Sequence, residues 1–443
     1  MSKRIRVSVL AAVIISLLAG LGGGARTVTA ASPKSSVVHL TYWNMWSGIW
    51  TGVVQKMVDA FNQTHSTIQV KMLSVPSSNA EQKLLTAVAA GNPPDVFTEW
   101  NPYVAAFAQK HAVLDLGQFM TGKYAGMKNN YFYPVAAKWG TYQGKLYAMP
   151  WTMNSLMLYY NKALMKQAGL NPNDPPKTIA QLDAQQAKMW KYGSKGQVTQ
   201  IGFYANAFEP WVPTWNVPLL KNGKYDLTNA NAVKLMSWMA SYKRYPYSQV
   251  NAFISGVSGA GGGSTDPFEL GKQGFYINGM WEIPTIQQYN PKMQYGVVPL
   301  PIPPGGNADV TMVNGNYNEI LTGSKHPQQA FEFMAWLSGY DNEAWAAKAY
   351  PTGGWVPNSP KIAAKEDYQK FLNQNPLRKP FVSVMLNPKD GISPVTPAEL
   401  LYEKTLTDST TAVLEGQMSP TQALQHVEQV SNQELQATTA AGG

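Results

Sequence analysis

The sequence predicts an α/β protein built as two lobes, each around a mainly parallel sheet. Apolar residues switch repeatedly between a two-residue and a 3.6-residue repeat, the mark of alternating strands and helices. A body of roughly 400 residues is too long for one hydrophobic core and divides into about two. The run from Lys145 to Leu170, KLYAMPWTMNSLMLYYNKALMKQAGL, reads as two strands joined end to end without a tight turn. There the chain is expected to leave one sheet and enter another.

In chain order, Val37 to Trp43 alternates as a strand, and Val53, Val54, Met57, Val58 and Phe61 recur at helical spacing. Ile68 to Leu73 is a second strand. Glu81 to Ala90 reads as a helix stopped by Gly91, after which Pro93-Pro94 force an extended entry into the strand at Asp95 to Thr98. Ligands of such sheets collect at the carboxyl ends of the strands, which puts Asn44 to Ser47 and Thr98 to Asn101 on one rim. In the junction, Lys145 to Met149 is expected as a strand broken by Pro150, with Thr152 to Ser155 as a polar hinge and Leu156 to Tyr160 as the next strand. Helix Lys162 to Ala168 closes at Gly169.

The second α/β set comprises helix Ile179 to Trp190, strand Gln200 to Tyr204, helix Ala230 to Lys243, strand Gly274 to Asn278, helix Met280 to Gln288 and strand Tyr295 to Val298. Ser255 to Ser264 is expected as a Gly-rich surface loop, and it lacks the Gly-Lys-Ser/Thr ending of a phosphate-binding loop. Pro299, Pro301, Pro303 and Pro304 mark a second passage between lobes. Strand Asn318 to Thr322 and helix Gln328 to Leu337 then rejoin the first lobe, and helices Pro397 to Gly416 and Ser419 to Ala437 follow a further crossing. The expected organisation is a signal peptide over 1–30, lobe I over 36–153 and 310–355, and lobe II over 154–309 and 356–443.

The leader follows from Lys3, Arg4 and Arg6 ahead of the apolar run Val7 to Leu21, with a small-residue cleavage site at Val28-Thr29-Ala30. That run is short for a bilayer span of about 20 residues. The chain has no Cys, so no lipid anchor through a lipobox Cys, no disulfide and no thiolate metal site is expected. Four of the formal charges sit on Lys3, Arg4, Arg6 and Arg26, and taking those 4 from +9 leaves +5 on the rest. The lysines are dispersed and there is no arginine stripe, so a nucleic-acid partner is not expected. The 14 Trp and 23 Tyr beside 14% charged residues favour a neutral polyhydroxylated ligand, since flat rings cover the apolar face of a pyranose while amides bond its hydroxyls.

The segments AVAAGNPPDVFTEW, the Lys145 to Leu170 run, FEPWVPTW, GKQGFYINGMWEI and YGVVPLPIPPG together resemble, in order, the family 1 extracytoplasmic solute-binding proteins. These are the sugar-binding subunits of ATP-driven (ABC) importers, maltose-binding protein among them. The resemblance runs from about Leu40 to the final helix. It implies a periplasmic-binding-protein fold of the type II kind, hinge strands between lobes, a carbohydrate ligand in the interlobe cleft, a membrane permease as partner, and a monomer outside the cytoplasm without cofactor or metal. Carried over by position, it offers Asn44 and Trp46 after the first strand, Glu99, Trp100 and Asn101 after Asp95, and Asn154 at the crossing. Glu209, Trp211 and Trp215 come from the Glu-Pro-aromatic segment, and Trp281 from Gly-x-Trp. Two departures are plain: the maltose-type hinge has an acid where Asn154 stands, and its first-loop acid and lysine are replaced by Met45 to Ser47.

Asp95 is expected to brace the strand end, and Trp43, Tyr159 and Tyr160 to lie in the core. The main rival function is a secreted glycosidase, which needs two carboxyls about 5 to 9.5 Å apart. Glu99, Glu209 and Glu282 carry no motif for that, and five scattered His show no metal-ligand spacing. The other rival is a non-sugar solute on the same fold. A cationic one would want several carboxylates among the cleft loops and a phosphate would want arginines. Neither cluster shows among the cleft loops, which favours a neutral sugar.

Overall fold

Strand β1, Val38–Asn44, turns Leu40, Tyr42 and Asn44 into the interior at every second position, as a pleated strand does when one face is covered. Helix α1, Ile49–Thr64, follows and buries the stripe Val54, Met57, Val58 and Phe61. Strand β2, Ile68–Ser74, then lies parallel to β1, and β3, Val96–Glu99, lies parallel on its other side. The computed structural model describes residues 37–75, 83–84, 86–100, 103–128, 130–260, 266–387, 389 and 391–441. The expected signal segment and the start of the helix expected at Glu81 lie outside the described residues.

The junction singled out in the sequence is a crossing between sheets. Strand β4, Ala148–Ser155, and β5, Met157–Asn161, are separated only by Leu156, and the first belongs to a six-stranded sheet, the second to a three-stranded one. Pro150 does not break the strand as expected. Proline has no N–H for a regular ladder, and here the register shifts opposite it, between Asn316 and Tyr317, so that a bulge absorbs the misfit. Thr152 to Ser155 are therefore buried strand, and the break falls at Leu156.

The three-stranded sheet is completed by β6, Phe275–Asn278, and β7, Tyr295–Val298, each antiparallel to β5. Helix α2, Glu282–Tyr289, joins those two strands. Strand β8, Val313–Ile320, re-enters the first sheet antiparallel to β3 and β4, and β9, Val356–Pro357, adds to the other edge of β4. The order is β9-β4-β8-β3-β1-β2. Mainly parallel pairing thus holds for the opening β-α-β-α-β unit and not for the rest, because β8 comes back from the other sheet in the opposite sense.

Helices α3, Pro327–Leu337, and α4, Glu343–Gly353, supply Phe331, Phe333, Leu337 and Tyr350 to the core beside the six-stranded sheet. Ile362, Tyr368 and Leu372 join that same core. These three residues lie past the crossing expected at 355–356. The second core gathers Leu158, Met165, Leu182, Phe203 and Leu235 with Tyr402 and Leu406 of α5, Glu399–Leu414, and Leu424 and Val427 of α6, Pro420–Ala441. Ser255 to Ala260, expected as loop, are the last part of helix Tyr247–Ala260; Gly256 and Gly259 weaken a helix by only about 1 kcal/mol each, and Val257 is buried.

At the crossing the lobes share side chains, since Met153, Met157, Tyr159, Tyr317 and Phe381 pack in one cluster. The Thr311 hydroxyl donates to the Leu156 carbonyl and the Ser155 hydroxyl to the Phe381 carbonyl, both at 2.8 Å. Three passages of chain are thereby bonded side by side.

Candidate functional site

The carboxyl end of β1 and the start of α2 face one cavity of about 720 Å³. Trp46 and Trp50 line it from the first lobe, and Asp266, Glu269, Trp281 and Glu282 from the second. Asn44 shapes the first wall. Its amide nitrogen donates to the Tyr42 hydroxyl at 2.7 Å, and its Oδ1 accepts the Trp46 N–H at 2.8 Å, so both ends of the amide hold the loop. The Trp46 ring is tilted against Trp50 and Trp355, each with centroids 5.3 Å away. Trp50 is fixed by its Nε1 donating to the Gly353 carbonyl at 3.1 Å.

The second wall depends on glycine. A Cβ at Gly279 would lie 1.9 Å from the Trp281 ring, so the Gly-x-Trp pattern exists because the indole folds back over a residue with no side chain. Gly354, at φ +71°, is equally constrained: a Cβ there would stand 3.1 Å from Trp281 Cα. The end of α4 is thus seated directly against the start of α2.

The polar part of this wall is acidic. Tyr276 donates to Asp266 Oδ2 at 2.5 Å, the Asp266 N–H to Glu269 Oε2 at 3.1 Å, and Asn278 Nδ2 to Glu282 Oε2 at 2.8 Å. Burial pushes the Glu282 carboxyl up to about 9, reinforced by the neighbouring Glu269 and Asp266. Burial, with Asp266 beside it, likewise raises Glu269 to about 7. No lysine or arginine is among the described residues lining the cavity. The carboxyls are not set out for a metal ion, as no group of three or more His, Asp or Glu among the described residues could hold one.

A second acidic group sits where α5 meets the first lobe. Tyr103 donates to Glu403 Oε2 at 3.3 Å and Trp139 Nε1 to Glu399 Oε1 at 3.4 Å. Glu209 is raised to about 8 by burial and by Glu403, and Glu399 is driven well above the usual carboxylate range by burial and then Glu403. Glu99, buried at the end of β3, adds its field to that of Tyr103 and of the buried Glu319. The reading that no carboxylate cluster forms in the cleft is therefore corrected. Glu99, Glu209, Glu399 and Glu403 come from segments far apart in sequence, and only the fold assembles them, whereas Asp266, Glu269 and Glu282 lie within one stretch of the chain.

Of the residues expected at the site, Trp46 and Trp281 meet across the cavity. Glu99 and Glu209 fall in the second acidic group. Asn154 is buried in β4 with its Oδ1 lacking a partner. Trp211 is 1% exposed and packs edge-on to Trp238 at 4.8 Å; it belongs to the second core and also lines a neighbouring cavity of about 240 Å³ that shares Asp266 with the first. Trp215 leans on the same Trp238 at 5.8 Å. Trp100 is 42% exposed and outside the larger cavity, and Asn101 lies outside the described residues. Asp95 does brace the strand end, accepting from Thr41 N–H at 2.8 Å and Ser324 at 2.7 Å. Trp50, Asp266 and Glu269 escaped the sequence reading. Only the spacing Trp46-x-x-x-Trp50, one helical turn, could have marked the first of them.

Known proteins agree with this architecture. The chain superposes on the two-lobed protein CpMnBP1 with mannotriose bound at a TM-score of 0.77 and 30% identity, covering 89% of this chain and 100% of that one. The same protein with mannobiose bound gives 0.75 and 29%, covering 89% of this chain and 99% of that one. The sn-glycerol-3-phosphate-binding periplasmic protein UgpB of Salmonella paratyphi A is 25% identical over 95% of this chain and 98% of its own length. The UgpB of Yersinia enterocolitica is 29% identical over a match that spans 43% of each chain. Residues 56–377 match the model of the bacterial extracellular solute-binding proteins, and with two lobes closing on a cavity walled by Trp46 and Trp281, the chain belongs to that family.

Proposed function

We propose that this chain is the extracytoplasmic sugar-binding subunit of an ABC importer. It captures a mono- or oligosaccharide between its lobes, closes by bending at the crossing strands, and delivers the sugar unchanged to a membrane permease. The observation that carries this is the cavity between the carboxyl end of β1 and the start of α2, with indole walls from both lobes and polar groups between them. Rings stacked on a pyranose face with carboxyls and amides on its hydroxyls are the chemistry such a ligand needs. The mannooligosaccharide-bound relatives at 30% and 29% identity support the same class.

Glycerol phosphate is the second reading, because the curated relatives bind it. The cavity argues against it, since no lysine or arginine is among its described lining residues, and a phosphate is held by such cations. A strictly neutral ligand no longer follows, because that expectation rested on there being no acid cluster. Turnover is not part of the proposal. The leader supports export, the family is extracellular, and no helix among the described residues is long and apolar enough to cross a membrane.

Thermal shift with mannobiose, mannotriose, maltotriose and sn-glycerol-3-phosphate tests the reading. At 100 Kd linkage adds about 2.7 kcal/mol. For some 400 residues with an unfolding entropy of roughly 0.9 kcal/mol/K, the midpoint rises about 3 °C. A rise with glycerol phosphate alone, or cleavage products from the stabilising sugar, would overturn it.

A further inference from the structure

The charge lining the cavity is one-sided. Asp266, Glu269 and Glu282 converge on it without a lysine or arginine among its described lining residues, although the chain carries a formal +9. Buried carboxylates are ordinarily paired with a cation or fully hydrogen-bonded. Here Glu282 is 2% exposed, its Oε2 is held by Asn278, its Oε1 takes no N–H or hydroxyl donor among the described residues, and its carboxyl is within hydrogen-bonding reach of the Glu269 carboxyl. Glu269, also 2% exposed, has its Oε2 held by a backbone N–H. Two neighbouring buried carboxyls without a counter-ion can be satisfied in only two ways, by a shared proton or by donors that arrive with a ligand. The rest of the wall includes Trp46, Trp50 and Trp281, whose ring faces attract cations.

The acidic bias recurs where α5 meets the first lobe. Glu399 accepts there from Trp139 and Glu403 from Tyr103. The Tyr402 hydroxyl, fully buried, has no partner and sits in the field of Glu209, Glu403 and Glu399. Both acidic groups thus lie at the junction of the lobes, where a captured solute is enclosed.

We propose that the sugar captured here carries an amino group, whose ammonium occupies the cavity between the Asp266, Glu269 and Glu282 carboxyls and the Trp46 and Trp281 rings. This rests on the sugar-binding reading and narrows it to amino sugars. An ammonium supplies three N–H donors and a positive charge at once, which lets both carboxyls ionise in place of the proton they share. A neutral hydroxyl meets only the first requirement, and an acidic group meets neither.

The test is calorimetric titration of the mature chain at pH 7 with the β-1,4-linked glucosamine disaccharide, its di-N-acetylated counterpart and mannobiose. Acetylation removes the charge and keeps the ring. The free amine is expected to bind at least about tenfold more tightly than the acetylated disaccharide, the scale of one charge-assisted hydrogen bond. That ratio should collapse towards one in Glu282→Gln and shrink in Glu269→Gln, each checked for an intact ligand-free melt; if one variant fails to fold, the other reads the ratio. Equal or tighter binding of the acetylated sugar would overturn the amino-group inference while leaving sugar capture standing, as would a preference unchanged in both variants. Failure of all three sugars to bind would overturn both.

Discussion

Single side chains at the candidate site are set apart from those of the core by their surroundings. Trp281 is half-buried on the cavity wall, whereas Trp211 is sealed in the second core. Trp281→Ala is expected to leave the ligand-free melt nearly unchanged and to weaken sugar binding by about 2 kcal/mol, roughly thirtyfold. Trp211→Ala should instead open a core cavity and cost about 3 to 5 kcal/mol of stability. Titration calorimetry beside denaturant melts checks both, and a Trp211→Ala variant that melts normally but binds poorly would reverse that assignment. Gly279→Ala has a sharper outcome. Because a Cβ at 279 would collide with the Trp281 ring at 1.9 Å, this small substitution should displace the indole and reproduce the affinity loss of Trp281→Ala. Wild-type affinity in Gly279→Ala would mean that the ring tolerates displacement.

Among the elements, β4, β5 and β8 are where the proposed closure is expected to bend the chain. Leu156 is the one residue between the sheet of β4 and that of β5, and Thr311 bonds to its carbonyl just before β8 begins. Closure is expected to concentrate at Leu156 and at Val310 to Val313. Small-angle scattering should show a smaller radius of gyration at saturating sugar, and an unchanged radius would count against bending at these strands. Much of this order was legible beforehand. The alternation in Val37 to Trp43, the helical stripe Val53 to Phe61 and the strand Tyr295 to Val298 are local patterns, and local patterns survive into the fold. The bulge opposite Pro150 was not legible, because it needs the partner Asn316 to Tyr317. Nor was the antiparallel return of β8. The site divides the same way: Trp281 could be read from its Gly-x-Trp context, but the meeting of Asp266, Glu269 and Glu282 with Trp46 depends on how two lobes are apposed, which no window of sequence contains.

For the whole molecule, the buried acids set an unusual response to pH. Glu269, Glu209 and Glu282 are raised to about 7, 8 and 9, above the unfolded range of about 4.3. Between those limits the folded chain holds protons that the unfolded chain has released, so unfolding free energy falls as pH rises. Their stabilising effect is complete below about pH 4 and is lost on passing through 7 to 9. The ligand-free melting temperature is therefore expected to decline from pH 5 to pH 9, and Glu282→Gln should flatten the alkaline end of that decline. A melt that climbs across this interval would contradict protonated carboxyls in the native state. The row of indoles beside the cavity has a different consequence. Trp151, Trp355, Trp46 and Trp50 follow one another at centroid spacings of 5.4, 5.3 and 5.3 Å, close enough for their excited states to couple. Excitation absorbed deep in the first lobe can then drain to the ring at the cavity mouth. A sugar laid on Trp46 should quench or blue-shift that emission, so the protein carries a built-in optical gauge of its own occupancy, readable without a dye.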